Sequence, residues 1–362
     1  MGLRRHAATS DRRSLLPAQA RNQRRTGARV SDRFDASRPR RSRGTRLQRS
    51  RGGRFRASKP ESSPPAYRSR GEDRVVIERR FEARIAEYGP RNAFEQELVI
   101  HELLQQLVLV SLAKSGLFSR ALFHGGTCLR LLYGTDRFSE DLDFLLNEPE
   151  TSFDWKSIAA QVREDCLAQG IGFEAQDRSR AGSAVKTAFL KTDSIGKLLL
   201  LDLPYSRPAR GKIRIKLEID TNPPAGSLGE IRYLDFPVTS PIATQTLESS
   251  FALKSHALLC RSYTKGRDWW DLAWYIRRRL EPSFELLANA LAQQGPWANL
   301  SPPVGAQWFL EAMRQRVDAI DWPLARADIA RFLPLRDQPS LDAWGVDFFR
   351  QQLARMEEYL RA

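Results

Sequence analysis

Apolar residues recur at helical spacing at Phe94, Leu98, Leu103, Leu107 and Val110, which predicts an amphipathic helix over 94–112 ending near Lys114-Ser115-Gly116. The short apolar run 121–123 reads as a buried strand, Gly125-Gly126 as a turn, and 127–133 as the start of a helix. Residues 137–146 lead into a second strand, and 155–167 again carry helical spacing. Further strands are expected at 171–174, 185–190 and 212–220. The last alternates strictly, with Ile213, Ile215, Leu217 and Ile219 on one face and Arg214, Lys216, Glu218 and Asp220 on the other. Asn222-Pro223-Pro224 and the glycines up to Gly229 break any regular element. Beyond Pro241 the pattern is mainly helical, over 251–261, 268–279 and 284–294. Strands first and helices afterwards predict an α+β domain over 73–240 followed by a helical domain over 241–362.

Charge divides the chain more sharply than hydropathy does. Residues 1–70 hold 20 Arg, one Lys and four acids, a net of +17 out of +15 for the whole chain, so 71–362 carry −2. The basic balance therefore belongs to residues 1–72 and implies no basic groove on the remainder. With almost no periodic apolar positions, that Arg-rich stretch cannot offset the entropy of ordering, and the expectation is a disordered tail. Two functional readings follow, an electrostatic arm for nucleic acid or a segment without a specific task. A third is that the stretch lies upstream of a start near Val75. Cys128, Cys166 and Cys260 are widely separated, with no histidine at ligand spacing, which argues against disulfides and structural zinc. No apolar run approaches the roughly 20 residues of a membrane span, and no signal peptide is visible. The expected location is the cytoplasm, with no membrane partner.

The chemistry concentrates in Phe123-His124-Gly125-Gly126-Thr127 and Arg137-Phe138-Ser139-Glu140-Asp141-Leu142-Asp143-Phe144. Glycines after a strand let the backbone approach a phosphate, and a helix opening there aims amide donors at the anion. Asp141 and Asp143, two apart in a strand, project from one face while Leu142 and Phe144 point inward. Such a pair offers hard oxygen donors to Mg²⁺ or Mn²⁺. Without a cation, two adjacent acids repel. A third acid from strand 212–220 would complete a two-metal site, and the period alone leaves Glu218 and Asp220 open.

These strings, His-Gly-Gly-Thr-x-Leu and Arg-Phe-Ser-x-Asp-Leu-Asp-Phe, resemble the signature of the AbiEii/AbiGii nucleotidyltransferases, the toxins of type IV toxin–antitoxin and abortive-infection systems. Lys254-x-x-Ala257-Leu258 and Lys265-Gly266-Arg267-Asp268-x-x-Asp271-Leu272 are similar to the family's downstream motifs, in the same order. The resemblance spans about residues 95–280; His124 stands where family members often carry lysine. It implies a polymerase-beta-like nucleotidyltransferase fold with a mixed sheet, using an NTP and Mg²⁺ (or Mn²⁺). Gly125, Gly126 and Thr127 would then hold the triphosphate, with Arg137 and Ser139 also at the nucleotide. Asp141 and Asp143 would bind metal. Glu218 is the third acid by the family pattern, which places an acid before the isoleucine, with Asp220 in reserve. Lys254 would neutralise phosphate charge, and Asp268 would position that lysine or act as general base. The implied partners are a separately encoded antitoxin and an acceptor that is tRNA, another RNA or a protein. The implied role is growth arrest or phage defence.

Other residues read as structural. His101 and His256 lack metal partners at useful spacing. Trp269, Leu272 and Ile276 share a core stripe, while Asp268, Asp271 and Tyr275 share another, so that Asp268 can face the cleft and Asp271 caps or orients a neighbour. Arg277-Arg278-Arg279 forms a cationic helix end. Two readings rival the toxin enzyme: a non-enzymatic scaffold binding nucleic acid through the basic tail, and a nucleotidyltransferase acting on a protein or small molecule without a toxin role.

Overall fold

In the computed structural model, residues 70–177, 184–192, 205 and 213–361 are described, all within one compact unit of the chain. The expected tail, up to residue 69, lies outside the described residues; the first helix, Arg70–Tyr88, begins three residues ahead of the expected boundary.

A seven-stranded mixed sheet organises the unit. Its strands are β1 (Ala121–His124), β2 (Asp141–Leu146), β3 (Glu174–Asp177), β4 (Val185–Thr192), β5 (Ile213–Asp220), β6 (Gly229–Leu234) and β7 (Ser240–Gln245), in the order β3-β4-β5-β2-β1-β7-β6. β2 runs parallel to β5 and β1 parallel to β7; the other neighbours are antiparallel. The α+β class predicted from the sequence is therefore observed. On β5 the alternation holds, with Ile215, Leu217 and Ile219 fully buried.

Three expectations are corrected. The strand expected at 171–174 begins only at Glu174, and Ile171 and Phe173 are buried in the segment leading to it. The region after Thr221 holds two strands, β6 and β7, where only breaks and then helix were expected. The helix Ala93–Lys114 is not amphipathic but buried nearly all round, as a central core helix must be. Buried polar residues on it find partners: Glu102 accepts from Arg130 Nε at 2.8 Å and from Tyr88 Oη at 2.5 Å, and Gln105 Nε2 donates to the Ser139 carbonyl at 3.2 Å, while Gln105 Oε1 is buried without one. Buried polar groups persist because they are bonded.

After β7 the described chain is helical. Leu247–Cys260 starts at Thr246, whose Oγ1 accepts from Ser249 N. Gly266–Arg277 packs beside it, with Tyr275 stacked on Phe251 at 4.4 Å between ring centroids. Trp269 meets Trp322 at 5.0 Å and Phe349 at 5.2 Å, so an aromatic cluster joins this helix to Trp322–Ala330 and Val346–Leu360. Two helices that carry predicted site residues are thereby joined to each other and to the rest of the helical half.

Candidate active site

β1 ends at His124, and the chain turns through Gly125 directly into the helix Gly125–Tyr133. Gly125 has φ +79°, a left-handed value that side chains other than glycine's resist, and a Cβ there would collide with the Asp143 carboxylate. A Cβ at Gly126 would meet the Arg137 guanidinium and lie 2.9 Å from Ser139 Oγ. Both glycines are thus demanded by what presses against them.

Strand register assembles the acids. Antiparallel pairing sets Asp143 opposite His124, and parallel pairing sets it opposite Glu218. Asp141, Asp143 and Glu218 accordingly line one cavity of about 420 Å³. Asp220 does not line it: it pairs in register with Leu145, and its carboxylate accepts from Asn222 N at 2.9 Å. Burial, followed by the charges of Asp141 and Glu218, pushes the Asp143 carboxyl up to about 6. Among the described residues no three His, Cys, Asp or Glu side chains are drawn together as a ready-made metal cage. Glu218 is engaged by Lys216 Nζ at 2.8 Å and by Thr187 Oγ1 at 3.3 Å. Mg²⁺ commonly uses only one or two carboxylates beside phosphate and water oxygens, so Asp141 and Asp143 suit it in type and placement.

The helical side closes the cavity with an ion-pair network. Lys254 Nζ lies 2.8 Å from Asp268 Oδ1 and 2.9 Å from Asp271 Oδ2, and Arg261 donates to the other oxygen of Asp268. Burial alone would raise the Asp268 carboxyl, but Lys254, Arg261 and Lys265 outweigh it and hold the group well below the usual range. The same contest is won for Asp271 by Arg137 and Lys254. Burial and then Lys254 pull His124 down to about 4, so its imidazole is uncharged at neutral pH.

Most predicted site residues therefore converge, and two predicted ligands are already engaged by the protein. Thr127 is fully buried, does not line the cavity, and donates its hydroxyl to the Asp141 carbonyl. Arg137 reaches the cavity wall, yet its Nε and Nη2 donate to Asp271 and its Nη1 to the Phe138 carbonyl at 3.1 Å. His101 and His256 are bonded through Nε2 to the carbonyls of Arg214 and Gln294.

Sequence reading missed the rest of the cationic wall, Lys216, Arg261, Lys265 and Arg267. Lys216 was legible from its alternation with Glu218, whereas Arg261 is the extended residue that caps the helix carrying Lys254. Lys265 and Arg267 stand inside the quoted motif. Tyr263, 60% exposed at the cavity, had no sequence signal.

A family model described as "Nucleotidyl transferase AbiEii toxin, Type IV TA system" matches residues 107–351, extending well past the last motif noted in the sequence, which ends at Leu272. No curated protein matches. Similar solved structures include a putative nucleotidyltransferase from Helicobacter pylori, 16% identical, covering 73% of this chain and 94% of that one with a TM-score of 0.43. Another is JHP933 from Helicobacter pylori, 16% identical, covering 73% and 91% with a TM-score of 0.43. A third is MenT4, a nucleotidyltransferase toxin from Mycobacterium tuberculosis, 16% identical, covering 76% and 98% with a TM-score of 0.42. No membrane-crossing helix is found among the described residues.

Proposed function

Since the chain belongs to the AbiEii family of nucleotidyl transferase toxins of type IV toxin–antitoxin systems, we propose that it uses Mg²⁺ to move a nucleotide from an NTP onto a macromolecular acceptor, restrained by an antitoxin. The observation that carries this reading is the register of Asp143, which sits at once against the Gly125-Gly126 turn and opposite Glu218. A turn suited to phosphate and carboxylates suited to a cation thus lie side by side.

Asp141 and Asp143 would hold Mg²⁺, with the Glu218 carboxylate beside them in the same cavity. Bound there, the metal supplies charge neutralisation at the reacting phosphate and lowers the cost of ionising the attacking hydroxyl. The remaining work falls to the chain's own groups. The amides at the start of the helix Gly125–Tyr133 face the phosphates, aided by the helix dipole. Lys254 takes up charge developing on the pyrophosphate leaving group. Asp268 positions Lys254, since one of its carboxylate oxygens accepts from that lysine and the other from Arg261. Arg137 supports the glycine turn from beneath and is a positioning residue.

Equilibrium NTP binding in Mg²⁺ and in EDTA tests the reading. Wild type should bind only with the metal, and Asp143→Ala should bind in neither condition. Equal affinity of wild type in EDTA contradicts the metal assignment.

A further inference from the structure

The cavity has two chemically different ends. Around Gly125, Gly126 and Ser139 its wall is glycine, hydroxyl and carboxylate with the Arg137 guanidinium and the His124 ring, suited to phosphate and cation but offering no aliphatic face. Apolar side chains enter from the helical side. Leu253 and Ala257 lie one turn apart on the helix that also carries Lys254, and both are partly exposed to the cavity. Tyr263 follows in the segment joining this helix to Gly266–Arg277.

Two tyrosines line the cavity, and they differ in availability. Tyr275 is fully buried and already stacked on Phe251. Tyr263 is 60% exposed, and its contact among aromatic and cationic groups is the Arg261 guanidinium, 5.7 Å from the ring centroid. A large aromatic side chain left open at the mouth of a charged cleft, beside a cation fixed by Asp268, has the makings of a stacking surface.

We propose that Leu253, Ala257 and Tyr263 form the nucleobase seat of this enzyme, with the Tyr263 ring stacking on the base of the NTP whose phosphates lie at the glycine turn. This rests on the NTP reading above and adds the residue that holds the base. Stacking is sequence-tolerant because every base presents a π-face, so Tyr263 supplies affinity for all four NTPs, while Leu253 and Ala257 bound the space the base can fill.

The test measures equilibrium binding of ATP, GTP, CTP, UTP and inorganic tripolyphosphate, all with Mg²⁺, to the full chain. The variants are Tyr263→Ala and Tyr263→Phe. Tyr263→Ala should weaken each NTP by about fivefold to a hundredfold and leave tripolyphosphate unchanged, and Tyr263→Phe should bind as wild type. Wild-type NTP affinity in Tyr263→Ala, or an equal loss of NTP and tripolyphosphate, overturns the base seat while the NTP reading stands. Wild-type protein that binds neither NTP nor tripolyphosphate overturns both.

Discussion

Arg137 and Asp271, 134 residues apart, meet as a two-point ion pair: Nε and Nη2 of the arginine each lie 2.7 Å from a carboxylate oxygen, with the two side chains 2% and 0% exposed. The arginine presses on Gly126, and the aspartate also holds Lys254. One buried pair thus ties the phosphate turn to the lysine across the cleft. Removing one partner strands the other charge, which costs about 3–5 kcal/mol. Arg137→Met and Asp271→Leu should each lower stability on that scale in urea unfolding. A change below about 1 kcal/mol in both contradicts the structural role given to the pair.

Acid stability should follow the same network. Asp268 and Asp271 have carboxyls held below their unfolded values, so their contribution is fully present above the unfolded pKa near 4 and is lost as pH falls through the lowered folded values. Arg137→Gln raises the Asp271 carboxyl, and the midpoint of acid unfolding should therefore move to higher pH. Fluorescence-monitored acid titration reads this, and an unmoved midpoint contradicts it.

Gly125→Ala introduces a side chain at φ +79° and against the Asp143 carboxylate. The backbone strain costs about 1–3 kcal/mol, and NTP binding should disappear while a cooperative melting transition remains. Binding at wild-type affinity contradicts the account of the turn.

Lys254→Ala and Asp268→Asn separate charge stabilisation from base catalysis. Loss of the lysine should slow transfer by about 100- to 1000-fold. Asp268→Asn should lower kcat and leave the acid limb of the pH–rate profile where it stands in wild type. Disappearance of that limb would make Asp268 the general base instead.

The Arg-rich stretch makes a separable prediction. Since residues 70–362 carry net −1, removal of residues 1–69 should preserve melting and NTP binding and reduce any salt-sensitive affinity for nucleic acid. Loss of the melting transition contradicts the separation.

The glycine turn and the Asp141/Asp143 pair were legible because their chemistry is local: two glycines and an alternating strand state their own geometry. Longer-range matters were hidden. Thr244 and Gln245 are fully buried in β7 through hydrogen bonds, Thr244 Oγ1 to the Phe123 carbonyl at 2.8 Å and Gln245 Nε2 to Ser227 Oγ at 2.7 Å, so the strand shows no apolar alternation. In β6 the alternation exists but is turned round, with Ile231 and Tyr233 the exposed positions. Glu102, Gln105 and Gln106 broke the apolar surface of the core helix because they find partners or burial only in the folded chain. The choice between Glu218 and Asp220 depends on strand register, which periodicity does not contain. The ion pair that holds Arg137 was hidden as well, because Asp271 is too distant in sequence to announce itself.

The central claim is that the acids of β2 and β5 and the lysine of the facing helix form one nucleotidyl-transfer site. Its most direct test is transfer of label from an NTP labelled at its α-phosphate to total RNA or protein of a cell extract, in Mg²⁺, by wild type, Asp143→Ala and Lys254→Ala. Wild type should label an acceptor, and both variants should fall by at least about 100-fold with their melting transitions retained. Labelling by Asp143→Ala at the wild-type rate would contradict the account.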